Sequence, residues 1–337
     1  MKAAVIGGSG YLGAELLRLL AGHPDLDVAL VQAAGAAGTA VEGRYPGLSA
    51  AYKGLVYEPV DPGACEGCDV VFVAVPSGAS QELVAALVDT VACVVDLGAD
   101  FRLRDPAAYP TWYGFTHRFP DLLARAVYGL PELDRSALPG ARLVAAPGCY
   151  VTAATLALGP LVGAGILERH GIVVDAASGT SGAGRSLTDG THHAAVNEGF
   201  SAYKVLEHRH TPEMEQAIGA SLVFTPHLAP MTRGILATCY GRATRATSTA
   251  ELLGILEAAY VEEPFVEVTG GLPTTRECYG TNVARLTARH DERTGTVVAL
   301  SAIDNLTKGG SGQAIQAANA ALGLPETAGL ALLAVGP

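Results

Sequence analysis

The chain has 337 residues, 49% hydrophobic and 16% charged, which is enough apolar material for two folded domains and excludes a disordered protein. Its net charge of −11, with no basic stripe, argues against nucleic acid as a partner. No long uncharged span or signal-like apolar region follows Met1-Lys2, and Cys65, Cys68, Cys93, Cys149, Cys239 and Cys278 are scattered, so the expectation is a cytoplasmic protein with reduced thiols and no membrane partner.

Residues 1 to about 100 alternate strand and helix patterns. Lys2 to Ile6 reads as a strand, and a helix with leucines on one face runs from Tyr11 to Ala21. Between them lies Gly7-Gly8-Ser9-Gly10-Tyr11-Leu12-Gly13, which reads as G-x-G-x-x-G from Gly8 or as G-x-x-G-x-x-G from Gly7. Placed after a first strand and opening a helix, such a loop allows a tight turn and a close pyrophosphate approach, with the helix N-terminus stabilising the phosphates. All seven residues are taken as cofactor contacts. The second strand, Val28 to Gln32, runs into Ala33-Ala34-Gly35-Ala36 with no acid for the ribose hydroxyls of NAD, which favours NADP; the nearest arginine is Arg44. Cys65-Glu66-Gly67-Cys68 is formally a C-x-x-C, but no second pair completes a metal site, and two incidental thiols are expected.

Val70 to Val75 reads as a strand, Gln81 to Val88 as a helix and Val91 to Leu97 as a strand, an alternation that argues a parallel, doubly wound sheet. Ser77 and Gly78, at the end of one of these strands, are candidate cofactor contacts; a serine cap for the next helix is the other reading. Residues 101 to 140 form a long connection rich in Pro and Tyr. Leu143 to Ala146 is a short buried strand, Pro147-Gly148 a turn, and Ala153 to Val162 a helix, so Cys149 falls at or just before a helix N-terminus. Unpaired N–H groups and the helix dipole favour a nucleophilic thiolate there. Beyond it, strands at Gly171–Ser178, Ala220–Thr225, Ile235–Tyr240, Phe265–Val268, Val283–Ala288 and Gly295–Ile303 suggest a mixed or antiparallel sheet with fewer helices. A helix, Gly312 to Leu322, follows a glycine-rich loop and is expected to pack back on the first domain.

Several segments now occur in one order: Gly7 to Gly13, Asp96-Leu97-Gly98-Ala99-Asp100-Phe101-Arg102, Tyr128-Gly129-Leu130-Pro131-Glu132, Pro147-Gly148-Cys149-Tyr150, Ser178 to Arg185, His208-Arg209-His210-Thr211-Pro212-Glu213 and Asn305-Leu306-Thr307-Lys308-Gly309. Over essentially the whole chain this resembles the N-acetyl-gamma-glutamyl-phosphate reductase family of arginine biosynthesis, itself related to aspartate-semialdehyde dehydrogenase. The resemblance implies a Rossmann-like doubly wound parallel sheet, residues 1–148 and 309–337, and an α+β catalytic and dimerisation domain with a mixed sheet, residues 149–308. It implies NADP(H) as cofactor, a small-molecule acyl phosphate and inorganic phosphate as ligands, and a homodimer or homotetramer. Ala33-Ala34-Gly35 departs from the family, whose members often carry Ser and Arg there for the NADP phosphate.

In the family's reaction Cys149 attacks the acyl-phosphate carbonyl, phosphate leaves, and the thioester is reduced to the semialdehyde, which matches what a thiolate nucleophile and backbone oxyanion donors can do. A buried structural thiol is the plain alternative. Histidine is the natural acid–base near neutral pH; His208 is assigned that role, with His210 orienting it or holding phosphate. An H-x-H pair also suits a metal, but no carboxylate or cysteine spacing completes one. The Ser178–Arg185 stretch can form an anion nest, with Ser181 and Gly182 on the cofactor and Arg185 on the substrate. Asn305 is a further cofactor contact, and Lys308 beside it a phosphate ligand. Arg102 and Arg233 are candidates for the substrate carboxylate, with structural ion pairing as the alternative for each. The competing functions are the aminoadipyl-phosphate or carrier-linked reductase of lysine biosynthesis, another semialdehyde dehydrogenase, and a non-catalytic NADP-binding redox sensor. The acidic balance disfavours an acidic carrier protein.

Overall fold

Unbroken apolar runs become strands buried on both faces. In the computed structural model, which describes residues 1–335, β1 (Lys2–Ile6) leads through helix α1 (Tyr11–Leu20) to β2 (Asp27–Gln32). β3 (Val70–Val73), helix α2 (Ser80–Leu87), β4 (Cys93–Asp96), β5 (Val127–Tyr128) and β6 (Leu143–Ala145) follow. All pairings are parallel, in the order β2-β1-β3-β4-β6-β5. Ala3 and Val5 pack with Leu16, Leu17 and Leu20 of α1 on one side, while Ala4 and Ile6 pack with Val84 and Leu87 of α2 on the other. Helices on both faces are what a parallel sheet requires. The strand order reverses direction between β1 and β3, and ligands bind at the carboxyl ends of strands at such a switch point.

β6 continues as Pro147-Gly148 into helix α3 (Cys149–Gly163), which opens the second unit. β7 (Ile172–Gly179), β8 (Ser201–Ala202), helix α4 (His210–Ile218), β9 (Leu222–Ala229) and β10 (Ile235–Arg242) follow. Then come helix α5 (Thr249–Tyr260), β11 (Val266–Val268), β12 (Ala284–Asp291) and β13 (Thr296–Ile303). The sheet order is β11-β12-β13-β10-β7-β9-β8, with parallel and antiparallel pairs mixed. Inward residues of β7, β10, β12 and β13, among them Val174, Ala237, Leu286 and Ala299, form one core with Leu156 and Leu161 of α3 and Leu252 and Leu256 of α5. The opposite face keeps Val173, Thr225, Leu236 and Thr238 only half-buried and Val223 and Tyr240 exposed.

Helix α6 (Gly312–Leu322) belongs to the first unit: Ala314, Ile315, Ala317 and Ala318 share the core of β1 and α1, and Gln313 Nε2 donates to Gly129 O at 2.9 Å. The first unit comprises Met1–Pro147 and Gly310–Leu330, and the second comprises Gly148–Gly309 and the stretch from Ala331. That last stretch differs from the expected assignment of 309–337 to one domain. Asn282 N–H donates to Ala331 O at 2.9 Å and Val335 N–H to Tyr279 O at 3.0 Å, which ties it to the second unit.

Among the labelled strands and helices, β5, β8, α4 and α5 are the ones not expected from the sequence patterns above. β5 and β8 have two residues each, too short for any alternation. α4 opens in a polar run, His210-Thr211-Pro212-Glu213. α5 does carry a signal: Ser248 Oγ accepts the Glu251 N–H at 3.2 Å as a cap, and Leu252, Leu256 and Tyr260 repeat every four residues. No helix among the described residues is long and apolar enough to cross a membrane.

At Gly13 an added Cβ would lie 2.4 Å from Gly7 O and 2.5 Å from Gly8 Cα, both backbone. Gly13→Ala is expected to lower the unfolding free energy by ~1–3 kcal/mol through overpacking, read from the urea midpoint at unchanged slope.

Candidate active site

The first unit carries the dinucleotide loop. Gly7 has φ +86, and an added Cβ would lie 2.2 Å from Ala74 O, so the loop after β1 rests directly on the chain leaving β3. Gly8 N–H and Gly7 N–H both donate to Gln32 O, at 3.1 and 2.8 Å, which fixes the loop to the end of β2. A Cβ at Gly10 would meet nothing nearer than Gly7 O at 3.6 Å, so this glycine is open where its neighbours are closed. Gly10 is also the N-cap of α1, with no side-chain cap and no acid in the first turn. An uncapped helix start beside an open glycine fits a pyrophosphate. Ser9 and Tyr11 flank this opening, half-buried and exposed, and Leu12 packs against the core behind it.

Ser77 and Gly78 lie after β3 at the switch point. The segment is held from Asp100, whose Oδ1 accepts Gly78 N–H at 2.7 Å and whose Oδ2 accepts Ser80 N–H at 3.1 Å. Asp100 therefore does the capping that the sequence suggested for Ser77; the N-cap residue of α2 is Ala79. Beneath it, Asp96 is fully buried, and its carboxyl is pushed up to about 7, first by burial and then by Asp100. Arg102 is tied inward: Nε donates to Ala146 O at 2.7 Å and an Nη to Leu97 O at 3.0 Å, so its fork serves the backbone of this unit. In the C-x-x-C, burial pushes the Cys65 thiol up to about 11, which makes it a poor nucleophile.

The second unit carries the thiol. Cys149 is the first residue of α3, half-buried, after an N-cap glycine with no side-chain cap. Three contacts shape this start. Gly148 N–H donates to Glu213 Oε1 at 2.9 Å. A Cβ on Gly148 would sit 2.4 Å from His210 Nε2, so the His210 imidazole lies flat against the residue before the thiol. A Cβ on Gly309 would sit 2.8 Å from Cys149 Cβ, so the Gly309 backbone closes over the cysteine. His210 is the first residue of α4 and Glu213 lies one turn on, so both face Gly148 from a single helix.

His208 has a different environment. Its ring stands edge-on to Tyr150, Phe224 and Tyr203, with centroids 5.2–5.8 Å apart, and 4.7 Å from the His210 ring. Nδ1 accepts the His210 N–H at 3.1 Å, leaving the proton of the neutral ring on Nε2. Burial, with Arg209 and Lys204 adding to it, pushes its pKa down to about 3. Of the two histidines, His210 is the one against Gly148.

Ser181, Gly182 and Asn305 come together. Asn305 Nδ2 donates to Ser181 Oγ at 2.9 Å, its Oδ1 accepts Gly234 N–H at 2.7 Å, and a Cβ on Gly182 would lie 3.6 Å from Nδ2. Arg185 lies on an exposed loop. Arg233 pairs in bidentate fashion with the buried Asp304, at 2.9 and 3.0 Å, and Asp304 also accepts N–H groups from Gly280, Leu306 and Thr307. Lys308 is buried, its Nζ 5.5 Å from the Phe265 ring centre, so it faces the interior. Glu213 and Asp304 received no role from the sequence. Glu213 was legible as an acid three residues after His210, whereas the pairing of Asp304 with Arg233 spans 71 residues and leaves no local signal.

A nucleotide-loop sheet joined to a thiol-bearing mixed-sheet unit defines a protein of the semialdehyde dehydrogenase class. Family models agree: residues 2–141 match the semialdehyde dehydrogenase NAD binding domain and 149–305 the dimerisation domain. A crystal structure of aspartate semialdehyde dehydrogenase II complexed with ASA from Vibrio cholerae aligns with TM-score 0.72 at 15% identity, covering 95% of this chain and 97% of that one. Aspartate semialdehyde dehydrogenase with NADP from Candida albicans aligns with TM-score 0.67 at 14% identity, covering 95% and 97%. An N-acetyl-gamma-glutamyl-phosphate reductase from Symbiobacterium thermophilum is 47% identical over 339 residues, 98% of this chain and 97% of that protein. The chain belongs to the N-acetyl-gamma-glutamyl-phosphate reductase family.

The depressed His208 pKa has a consequence for stability. The folded ring stays neutral down to about 3, whereas the unfolded one takes up a proton near 6.5. Between those values the unfolded state binds more protons, so the stabilisation from the neutral buried ring is present above about pH 6.5 and is lost as pH falls toward 3. The melting temperature of His208→Gln should therefore fall less steeply than that of the unsubstituted protein between about pH 7 and about pH 4; equal slopes would contradict this.

Proposed function

We propose that this protein is a cytoplasmic NADP(H)-dependent oxidoreductase that reduces N-acetyl-gamma-glutamyl phosphate to N-acetyl-glutamate 5-semialdehyde and phosphate through a thioester on Cys149. The observation that carries this reading is the start of α3, where a half-buried thiol opens an uncapped helix with an imidazole against the preceding glycine. The family membership names the substrate. The cytoplasm is the compartment where its cysteine thiols would stay reduced.

The Cys149 thiolate, favoured by the helix N-terminus, attacks the acyl carbon; the C–O bond to phosphate breaks and the thioester forms. Backbone N–H groups of the first turn of α3 stabilise the tetrahedral oxyanion. When bound, the reduced nicotinamide supplies the hydride that takes the thioester to the aldehyde level. The C–S bond then breaks, and the thiolate is regenerated. We assign His210, in place of His208, as the acid–base that supplies and removes the proton at the substrate oxygen, because its ring lies against Gly148. His208 orients it by accepting its backbone N–H. Glu213 holds Gly148 and so sets where the thiol sits. Ser181, Gly182 and Asn305 form the polar cradle for cofactor or phosphate, and the loop from Gly7 to Gly13 with Ser77 and Gly78 takes the dinucleotide. Arg233 is held by Asp304 and Lys308 is buried beside Phe265, while Arg185, on the exposed loop that follows Ser181, is kept as a candidate for the substrate's negative groups. The half-exposed apolar face of the second sheet supports a homodimer or homotetramer.

Turnover is measured in reverse, with N-acetyl-glutamate semialdehyde, phosphate and NADP. Cys149→Ser should abolish it while cofactor binding persists; surviving turnover would remove the mechanism, and a redox sensor would show no turnover even before substitution. His210→Ala should lower kcat by roughly 10²- to 10⁴-fold, and by more than His208→Ala does. Replacing the substrate with the aminoadipyl semialdehyde should cut kcat/KM; equal rates would favour the lysine-pathway reading.

A further inference from the structure

The end of β2 lacks the group that normally distinguishes the two nicotinamide dinucleotides. A carboxylate at this point takes the 2′-hydroxyl of NAD, and a nearby arginine takes the 2′-phosphate of NADP. Here Gln32 ends the strand fully buried and committed at both ends of its amide: Nε2 donates to Asp61 O at 2.9 Å, and Oε1 accepts Asp61 N–H at 3.3 Å. The residues that follow, Ala33, Ala34 and Gly35, carry no polar side chain.

A cation reaches the same place from another element. Gly7 and Gly8 bond directly to Gln32 O, and the next residue, Ser9, presents its carbonyl to Arg44. Arg44 closes a short helical turn, Val41–Arg44, and its Nε donates to Ser9 O at 3.1 Å. The Tyr45 hydroxyl donates to the same oxygen at 2.9 Å. No carboxylate among the described residues pairs with the Arg44 guanidinium. Glu42, the acid two residues earlier, accepts Gly54 N–H at 3.0 Å instead. One of the five guanidinium donors is thus spent on the glycine loop, fixing the fork beside the strand end where the adenosine ribose lies in this fold.

We propose that Arg44 receives the ribose 2′-phosphate and sets the preference for NADP in this chain, from outside β2. The proposal rests on the reading that the first unit's loop holds a nicotinamide dinucleotide. A guanidinium fork matches phosphate oxygens in pairs, and an anchored one loses less entropy on binding.

The test is a fluorescence titration of the purified full chain with NADPH, NADH and the fragment 2′,5′-ADP. The unsubstituted protein should bind NADPH more tightly than NADH. Arg44→Ala should weaken NADPH and 2′,5′-ADP by about 10- to 100-fold and leave NADH unchanged, which also reports an intact fold. Tyr45→Phe, which loosens the loop without removing charge, should keep the preference. Equal loss for NADPH and NADH in Arg44→Ala, or an undiminished preference, overturns the assignment of Arg44 alone. Loss of preference in Tyr45→Phe as large as in Arg44→Ala overturns it as well, by pointing to loop position. If the unsubstituted protein binds both dinucleotides equally the proposal falls, and if it binds neither, the dinucleotide reading falls with it.

Discussion

The hydrogen bond from Gly148 to Glu213 is the constraint on which the thiol site depends. Gly148 is the N-cap of α3, so its N–H points away from the helix ladder and needs a partner from elsewhere. Glu213 supplies that partner at 2.9 Å and is itself fully buried. Because Glu213 and His210 share one face of α4, the bond that fixes the helix start also brings the imidazole against it. Gly148 must be glycine for the same reason, since any Cβ would enter the His210 ring. Gly309 closes the other side of Cys149 under an equivalent restriction. Two glycines and one carboxylate thus set the surroundings of the sulfur.

A second hub supports the loops nearby in the same unit. Asp304 gathers Arg233 and three backbone N–H groups, which fixes the chain just before Asn305 and the turn that carries Gly309. Buried ion pairs of this kind are costly to break, about 3–5 kcal/mol when one partner is removed. Arg233, a candidate anion receptor by sequence, is thus engaged by a carboxylate of its own unit. Arg102 is likewise engaged in the first unit, where its fork holds two carbonyls.

Much of this is legible in the amino-acid sequence. Five of the six strands of the parallel sheet are legible because burial on both faces leaves unbroken apolar runs, and the glycine loop because its spacing has a mechanical reason at each position. Cys149 was legible from the apolar strand, the Pro-Gly turn and the helix pattern around it. The different surroundings of the two histidines were not. Spacing of two does not say that the chain turns helical at His210, nor that aromatic rings enclose His208 and suppress its proton. Arg44 was visible only as the nearest arginine; its bond to Ser9 spans 35 residues. Local patterns reveal elements, whereas partners distant in sequence decide which of several similar side chains reaches a site.

The central claim is that Cys149 carries the acyl group. Mass spectrometry of the protein mixed with N-acetyl-gamma-glutamyl phosphate, without reduced cofactor, tests it most directly. The account predicts one acyl adduct on the peptide containing Cys149, discharged when NADPH is added. An adduct on another residue, or turnover with no acyl-enzyme trapped at any stage, would contradict it.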